Sequence, residues 1–138
     1  EERIKIDLAI SLHSPDDTLR AKLMPYTKNY SIKKLFEATD FYIKKTNRKV
    51  MLEYLLIKDV NDTKKEAEKL VDLLDNKKLY LLNLIKYNET GNFKASDKKA
   101  IIDFKNILKR GGVNVVERYR FNQDVFGACG QLALKSST

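Results

Sequence analysis

The sequence predicts an α/β fold in which the strands of a parallel sheet alternate with helices. Three observations support this prediction: four short apolar runs typical of strands, helical periodicity between them, and turn residues at the junctions. Strands that alternate with helices are joined by right-handed crossovers and form a parallel sheet. With 138 residues, 43% of them hydrophobic, the chain is long enough for one compact domain.

The first half of the chain predicts a strand, a short helix, a longer helix and a second strand. The first strand alternates apolar and polar residues and then becomes apolar throughout, which indicates a buried end. The short helix ends near Pro25, and Ser31 is placed to cap the longer one. The second strand is interrupted mainly by Glu53. These elements are predicted at residues 4–10, 18–23, 32–46 and 50–57.

The second half repeats this alternation of helices and strands. Thr63 and Glu66 have the spacing of a capping box at the start of a helix. The third strand is almost wholly apolar, as expected when both faces are covered. Ser96 is placed to cap the last helix, and Gly111 and Gly112 end it because glycine tolerates positive φ. The elements are predicted at residues 63–74, 79–85, 97–110 and 113–119.

The formal net charge is +8, from 27 Lys and Arg against 19 Asp and Glu. Such a charge favours polyanionic partners through counterion release. Lysines spread over helix faces are equally typical of a plain solvated surface. The charge alone therefore leaves both interpretations open.

A single Cys and a single His limit the chemistry that the chain can perform. They exclude an internal disulfide framework and cannot assemble a Cys/His metal site, so no metal site is predicted. No apolar run reaches the roughly 20 residues needed to cross a bilayer. We therefore expect a cytoplasmic protein, and the missing initiator Met suggests that Glu1 follows a boundary inside a longer protein.

Polar residues follow the first three predicted strands, and a cysteine lies beyond the fourth. In parallel α/β folds the chemistry is carried by loops at the carboxyl ends of the strands. These residues therefore map to one edge of the sheet: Ser11 and His13, Asn61 and Asp62, Asn88, and Cys129.

Each of these residues also has an ordinary structural interpretation. A single His at a strand end is more often a hydrogen-bonded structural residue than a catalyst. Asn61 and Asp62 are typical of a turn and a helix cap. Cys129 lies between Ala128 and Gly130 in a glycine-rich tail, where an accessible thiol could approach a substrate. A lone Cys is nevertheless more often an inert small hydrophobe.

Several short segments, in this order and spacing, resemble the RlmN/Cfr family of radical-SAM methyltransferases, which modify an adenine of large-subunit ribosomal RNA. Each segment alone is weak evidence for the family, but the series covers nearly the whole chain and ends in a specific cysteine motif. The segments are LAISLHSP (8–15), LMP (23–25), EY (53–54), VND (60–62), NLI (83–85), YN (87–88) and ACGQL (128–132).

The resemblance implies a fold and a set of roles. Residues 1–119 would form the C-terminal part of a radical-SAM partial (βα) barrel, and residues 120–138 a tail that carries the methyl-acceptor cysteine. Two segments would contact S-adenosylmethionine, and the cysteine would receive a methyl group before attacking carbon-2 of the adenine. The cofactor contacts would be Ser11, Leu12, His13 and Asn88, and the methyl carrier Cys129.

The resemblance also implies a [4Fe-4S] cluster held by a C-x3-C-x2-C motif, which this chain lacks. With one Cys the segment cannot hold the cluster, so we expect it to be inactive alone and the motif to precede Glu1 in the parent protein. The implied partner is ribosomal RNA, with transfer RNA as a further candidate. Whether carbon-2, carbon-8 or both are methylated stays open, with carbon-2 favoured.

Two arginines near the end of the fourth predicted strand are candidate RNA contacts. Arg118 and Arg120 could hold phosphates, and Tyr119 and Phe121 could stack on an unpaired base. The alternative is that the tyrosine points into the core and the arginines into water. The sequence favours neither.

The chain departs from the family pattern in two loops. Phe126 replaces an acid shortly before Cys129, and Gln123 replaces a common glycine. Lys86 and Glu89 stand where many relatives have proline. An alternative function is therefore a non-catalytic, basic RNA-binding α/β module. The outer strands of an incomplete barrel could also make the segment self-associate.

Overall fold

The computed structural model describes residues 8–89 and 91–117. The described chain alternates strands and helices throughout, and a single 3-10 turn, Pro25–Thr27, follows the first helix. The elements are β1 (Leu8–Ser11), α1 (Asp17–Leu23), α2 (Ile32–Thr46), β2 (Val50–Leu56), α3 (Lys64–Leu73), β3 (Tyr80–Lys86), α4 (Lys98–Arg110) and β4 (Val115–Glu117).

The four strands form one parallel sheet in the order β1-β2-β3-β4. Sequential strands are therefore neighbours in space, and a helical segment connects each pair. The predicted parallel α/β fold is confirmed. Because all four strands run the same way, their carboxyl ends lie at one edge of the sheet, which is called the carboxyl edge below.

The main hydrophobic core lies between one face of the sheet and helices α2, α3 and α4. Alternate residues of β2 point to this face, where they pack with Phe36, Leu70 and Phe104 from the three helices. The ring centroids of Tyr54 and Phe104 lie 5.5 Å apart. The residues that β2 contributes to this core are Val50, Leu52, Tyr54 and Leu56.

A second, smaller cluster covers the opposite face of the sheet near the carboxyl edge. Leu23 and Met24, at the end of α1, pack there against residues of β2, β3 and the loops that follow them. Every residue of β2 is buried because both of its faces are covered. The remaining buried members of this cluster are Leu55, Ile57, Ile85 and Tyr87.

The helix ends confirm some of the predicted caps and correct others. Ser31 caps α2 by accepting a hydrogen bond from the Lys34 N–H at 3.1 Å. The predicted cap Ser96 is wrong, because Asp97 occupies the N-cap position of α4 and the Ser96 hydroxyl donates instead to Asp62 Oδ2 at 2.7 Å. Ser96 thus joins two loops.

The other predicted boundaries differ by a few residues. Thr63 does occupy the N-cap position of α3, although its hydroxyl contacts the Glu66 carboxylate and caps no backbone N–H. β4 begins at Val115, later than predicted, and the residues before Leu8 lie outside the described part of the chain. Gly112 has a φ of 84°, as the predicted helix end requires. None of the helices in the described ranges is both long and apolar enough to cross a membrane.

Replacing Gly111 by Ala should destabilise the fold, because the new Cβ would lie 2.5 Å from Val71 Cγ1 on helix α3. Overpacking of this kind costs about 1–3 kcal/mol. Urea unfolding of Gly111→Ala measures the loss. Gly91→Ala is the control, since its Cβ would meet nothing closer than the Tyr87 hydroxyl at 4.0 Å.

A double variant tests whether the contact with Val71 causes that loss. Val71→Ala removes both of the contacting methyl groups, so the added cost of Gly111→Ala should fall to less than half in the double variant. An undiminished cost would show that the clash with Val71 is not the reason.

Candidate functional site

The residues that follow β1, β2 and β3 meet at the carboxyl edge of the sheet. His13 and Asn61 are completely buried there, whereas Asn88, two residues beyond the end of β3, is exposed. Ser11 is half-buried. The structure therefore joins the first two loops through buried groups, whereas Asn88 in the third loop faces solvent.

The Asn61 side chain connects the first two loops through three hydrogen bonds. Its Nδ2 donates to the carbonyl oxygens of His13 and Leu55, each at 2.8 Å, and its Oδ1 accepts from the Ile57 N–H at 2.8 Å. The Tyr54 hydroxyl donates to the Asn61 carbonyl, also at 2.8 Å. Asn61 does lie in a turn, at residues 58–61, as its sequence context indicated. Its side chain does more than a turn requires, because it fixes the end of β2 against the loop after β1.

The His13 ring is held in one orientation and one protonation state. Its Nδ1 accepts a hydrogen bond from the Leu55 N–H at 2.9 Å, so the proton of the neutral ring is on Nε2. Burial, and secondarily the charge of Arg20, lower the pKa of His13 from 6.5 to about 3. The ring is therefore a neutral N–H donor at physiological pH. Its Nε2 is buried without a hydrogen-bond partner in the structure.

The backbone of His13 is also unusual, with a φ of 58° in the left-handed region. Histidine adopts this region more readily than most residues, but the conformation is uncommon for any residue other than glycine. The hydrogen bond from Asn61 to the His13 carbonyl stabilises it. Strained positions of this kind concentrate at functional sites.

Arg20 fixes the main chain at the end of β1, just before His13. It is only 4% exposed, and its Nε and Nη2 donate to the carbonyl oxygens of Leu12 and Ser11 at 3.1 and 3.0 Å. Burial lowers the pKa of Arg20, although a guanidinium stays charged at physiological pH. A buried cation therefore fixes two consecutive carbonyls.

Leu12 contributes no side chain to this edge. Its side chain is completely buried in the main core, its N–H donates to the Glu53 carbonyl at 2.9 Å, and its own carbonyl accepts from Arg20. Any contact of Leu12 with a ligand would use its main chain. Among the described residues, two buried donors at this place have no hydrogen-bond partner, His13 Nε2 and Arg20 Nη1, and the imidazole is the one that belongs to the loop after β1.

A row of polar side chains crosses the sheet in register. Ser11 is paired with Glu53, and Glu53 with Asn83, on three neighbouring strands. By strand alternation Glu53 points away from the main core, because its neighbours Leu52 and Tyr54 point into it. Glu53 and Asn83 are buried, at 5% and 0% exposure. Polar groups at the centre of an otherwise apolar sheet are typical of a ligand-facing surface.

Three of the predicted site residues cannot be placed. Cys129, Arg118 and Arg120 lie outside the described residues. Within residues 8–89 and 91–117, no three His, Cys, Asp or Glu side chains cluster closely enough to hold a metal ion.

Of the two cofactors that the resemblance implies, the residues of this chain suit one and not the other. S-adenosylmethionine fits the carboxyl edge, because the orphaned His13 Nε2–H would find an acceptor in the ring nitrogens or ribose hydroxyls of an adenosine group. An iron-sulfur cluster does not fit, since it needs three or four thiolates and the whole chain contains one Cys.

The sequence did not single out Arg20. Its position three residues before the buried Leu23 places both on one helical face, and this spacing was the available signal. Glu53 and Asn83 could have been found as isolated polar residues in apolar strands. The hydrogen-bond partners of Asn61 could not have been found in this way, because they depend on how the two loops pack together.

Comparison with solved structures assigns the fold to the class of radical-SAM enzymes. A radical SAM methyltransferase from Sphaerobacter thermophilus matches 97% of this chain and 40% of its own with a TM-score of 0.81 and 38% identity. A domain of pyruvate-formate lyase-activating enzyme from Bacteroides vulgatus matches 81% of this chain and 66% of its own with a TM-score of 0.65. At 17% identity it supports the fold alone.

Comparison with curated sequences identifies the family. Two relatives carry the name "Probable dual-specificity RNA methyltransferase RlmN": one from Streptococcus pyogenes is 40% identical over 139 residues, and one from Carboxydothermus hydrogenoformans is 46% identical over 137. Each match covers 98% of this chain. The chain spans 39% and 40% of these relatives' lengths. No protein-family model matches the chain. The resemblance is thus confirmed: the chain is homologous to a segment of the RlmN radical-SAM methyltransferases.

Asn61→Ala should be strongly destabilising, because it leaves the Ile57 N–H and the His13 and Leu55 carbonyls buried without their partner. Unsatisfied buried groups cost about 1–3 kcal/mol each, so for three of them we expect a total of at least about 3 kcal/mol. Chemical denaturation measures the loss. Asn106→Ala, at an exposed position of α4, should change stability by less than about 0.5 kcal/mol. Equal effects of the two variants would contradict the role of Asn61.

The stability of the protein should fall as the pH drops below 6.5. In the unfolded chain His13 gains a proton near pH 6.5, whereas in the folded protein its pKa is about 3, so the unfolded state binds the extra proton between these values. Between pH 7.0 and 5.5 the loss should be about 1 kcal/mol. Urea titrations at the two pH values measure it.

The matched variant is His13→Asn. Asparagine tolerates the left-handed backbone and offers an oxygen to the Leu55 N–H. Because His13 is the only His in the chain, this variant should lose most of the pH dependence in that range. If His13→Asn kept the pH dependence of the wild type, groups other than His13 would be responsible for it.

Proposed function

We propose that the chain is the C-terminal portion of a radical-SAM methyltransferase that transfers a methyl group to an adenine of 23S ribosomal RNA. The observation that carries this proposal is the similarity of nearly the whole chain to relatives named as RNA methyltransferases. The carboxyl edge supports it, because a neutral, buried His13 and a tightly fixed loop would present a defined surface to a small cofactor. Carbon-2 is the proposed target, and carbon-8 is the alternative.

S-adenosylmethionine would lie at the carboxyl edge, in contact with Ser11, Leu12, His13 and Asn88. It supplies the methyl group and, together with a reduced iron-sulfur cluster, the radical. The cluster would be held by cysteines outside this chain. Asn61 and Arg20 would act as positioning residues, since both hold the main chain on either side of the imidazole.

Cys129 is proposed as the methyl carrier. A thiolate is a soft nucleophile suited to a sulfonium methyl group. In the first step its sulfur would form a bond to the methyl carbon as the bond from that carbon to the sulfonium sulfur breaks, with S-adenosylhomocysteine leaving. With one Cys, the segment alone would complete no further step.

The RNA partner follows from the same proposal. Ribosomal RNA is the main proposed substrate and transfer RNA a second one, both of which would be met in the cytoplasm. The net charge of +8 supports a polyanionic partner, and Arg118 and Arg120 are proposed phosphate contacts. The outer strands β1 and β4 of the described sheet are proposed as the surfaces through which the segment would self-associate.

The experiment is intact-mass and peptide analysis of the complete gene product, expressed together with iron-sulfur cluster assembly. The Cys129 peptide should carry one methyl group, and a Cys129→Ser variant should carry none and transfer no methyl group to RNA. Comparison of this variant with the wild type isolates the sulfur, because serine keeps the size and removes the thiolate.

A Cys129 that is never methylated in a cluster-loaded protein would overturn the proposed mechanism. Salt-sensitive RNA binding that persists in that protein would then favour the non-catalytic RNA-binding module. A parent protein without a C-x3-C-x2-C motif would have the same consequence.

A further inference from the structure

A cleft of about 300 Å³ lies between the carboxyl edge of the sheet and the first turns of helix α4. It is separate from the His13 site, because its sheet residues point to the helix-covered face. Aliphatic and basic side chains alternate around it, and no acidic residue is among them. The lining residues are Leu56, Leu84, Lys86, Ser96, Lys98, Ile101, Ile102 and Lys105.

Within the described residues, two of the three lysines that line this cleft have no acidic partner. Lys86 and Lys98 are exposed, and in the part of the chain that the structure describes neither forms an ion pair. Elsewhere on the surface several lysines are matched with aspartates. Those pairs are Lys58 with Asp97, Lys77 with Asp40, and Lys99 with Asp103.

The apolar walls distinguish the cleft from a plain basic surface. Ile102 is 44% exposed and extends the apolar wall that Leu56, Leu84 and Ile101 form inside the cleft. The volume is at the lower end of the range for small-molecule pockets, about 300–1,000 Å³. A suitable occupant would thus combine a flat, weakly polar group with negative charge on either side.

We propose that this cleft binds one nucleoside unit of single-stranded RNA. The base would lie against Ile101 and Ile102, and the flanking phosphates would contact Lys86 and Lys98. The proposal rests on the proposed RNA methyltransferase function. It adds a subsite for a nucleotide next to the one that reacts, because Lys86 is the last residue of β3 and Asn88 follows two residues later.

The loop structure couples this subsite to the carboxyl edge. Ser96, in the cleft wall, donates to Asp62 at 2.7 Å, and Asp62 follows the Asn61 that holds the His13 loop. RNA bound in the cleft would therefore lie against a rigid neighbour of the His13 site. The strand would be positioned by contacts that do not depend on the reacting base.

The test is equilibrium binding of a labelled single-stranded RNA oligonucleotide to the 138-residue chain, by fluorescence anisotropy. Lys86→Glu with Lys98→Glu should weaken binding about tenfold and reduce the slope of log affinity against log salt by about 1.4, for two phosphate contacts. Lys33→Glu with Lys34→Glu is the matched control. It makes the same change of charge in the first turn of α2 and should weaken binding by less than about twofold.

A second variant tests the apolar wall. Ile102→Ser should weaken RNA binding severalfold and leave the binding of inorganic polyphosphate unchanged, whereas Phe41→Ser, at another exposed apolar residue, should change neither. An effect of the charge reversals equal to that of their control would overturn the proposal, as would a wild-type chain that binds no RNA. If poly-glutamate competed as strongly as RNA, the occupant of the cleft would be an acidic protein segment and not a nucleic acid.

The outcome separates the cleft from the proposed catalytic function. A methylated Cys129 in a protein whose Lys86 and Lys98 variants bind RNA normally would refute the cleft alone. An unmethylated Cys129 in a protein whose RNA binding depends on the cleft would refute the methyl-carrier mechanism and leave the cleft supported.

Discussion

The side chain of Asn61 is the constraint on which the carboxyl edge depends. Parallel strands align their carboxyl ends, but nothing in strand pairing fixes the loops that follow. Asn61 fixes two of them at once by satisfying buried backbone groups of Ile57, Leu55 and His13. Because one of these groups is the carbonyl of a residue with positive φ, the same amide also stabilises an otherwise unfavourable backbone conformation.

The electrostatics of the edge follow from this arrangement. Because the neutral His13 ring carries its proton on Nε2, a second proton would have to bind to Nδ1, which is buried, accepts the Leu55 N–H and experiences the positive charge of Arg20. Both burial and that charge oppose protonation, so the ring stays neutral. Arg20 is itself tolerated because two carbonyl oxygens solvate it. The loop after β1 thus has one neutral donor, and helix α1 places one fixed cation against its main chain.

The sequence predicts the sheet better than it predicts the site. The strands at Val50–Leu56 and Tyr80–Lys86 were predictable because burial on both faces demands continuous apolar residues. The cap of α4 was not, because Ser96 and Asp97 are both good caps and the choice depends on Asp62, 34 residues earlier. Asn61 was predictable as a turn residue, but its bond to the loop after β1 was not, because its partner His13 lies 48 residues away.

The polar row across the sheet and the buried His13 donor distinguish this edge from the apolar core. Glu53 and Asn83 occupy central strands, where an apolar side chain would be the more stable choice, and the His13 Nε2–H is buried without a partner. Leaving such a donor unsatisfied costs about 1–3 kcal/mol. A ligand that accepts a hydrogen bond from the His13 Nε2–H would remove this cost, so the same buried donor that is unfavourable in the isolated segment would favour binding.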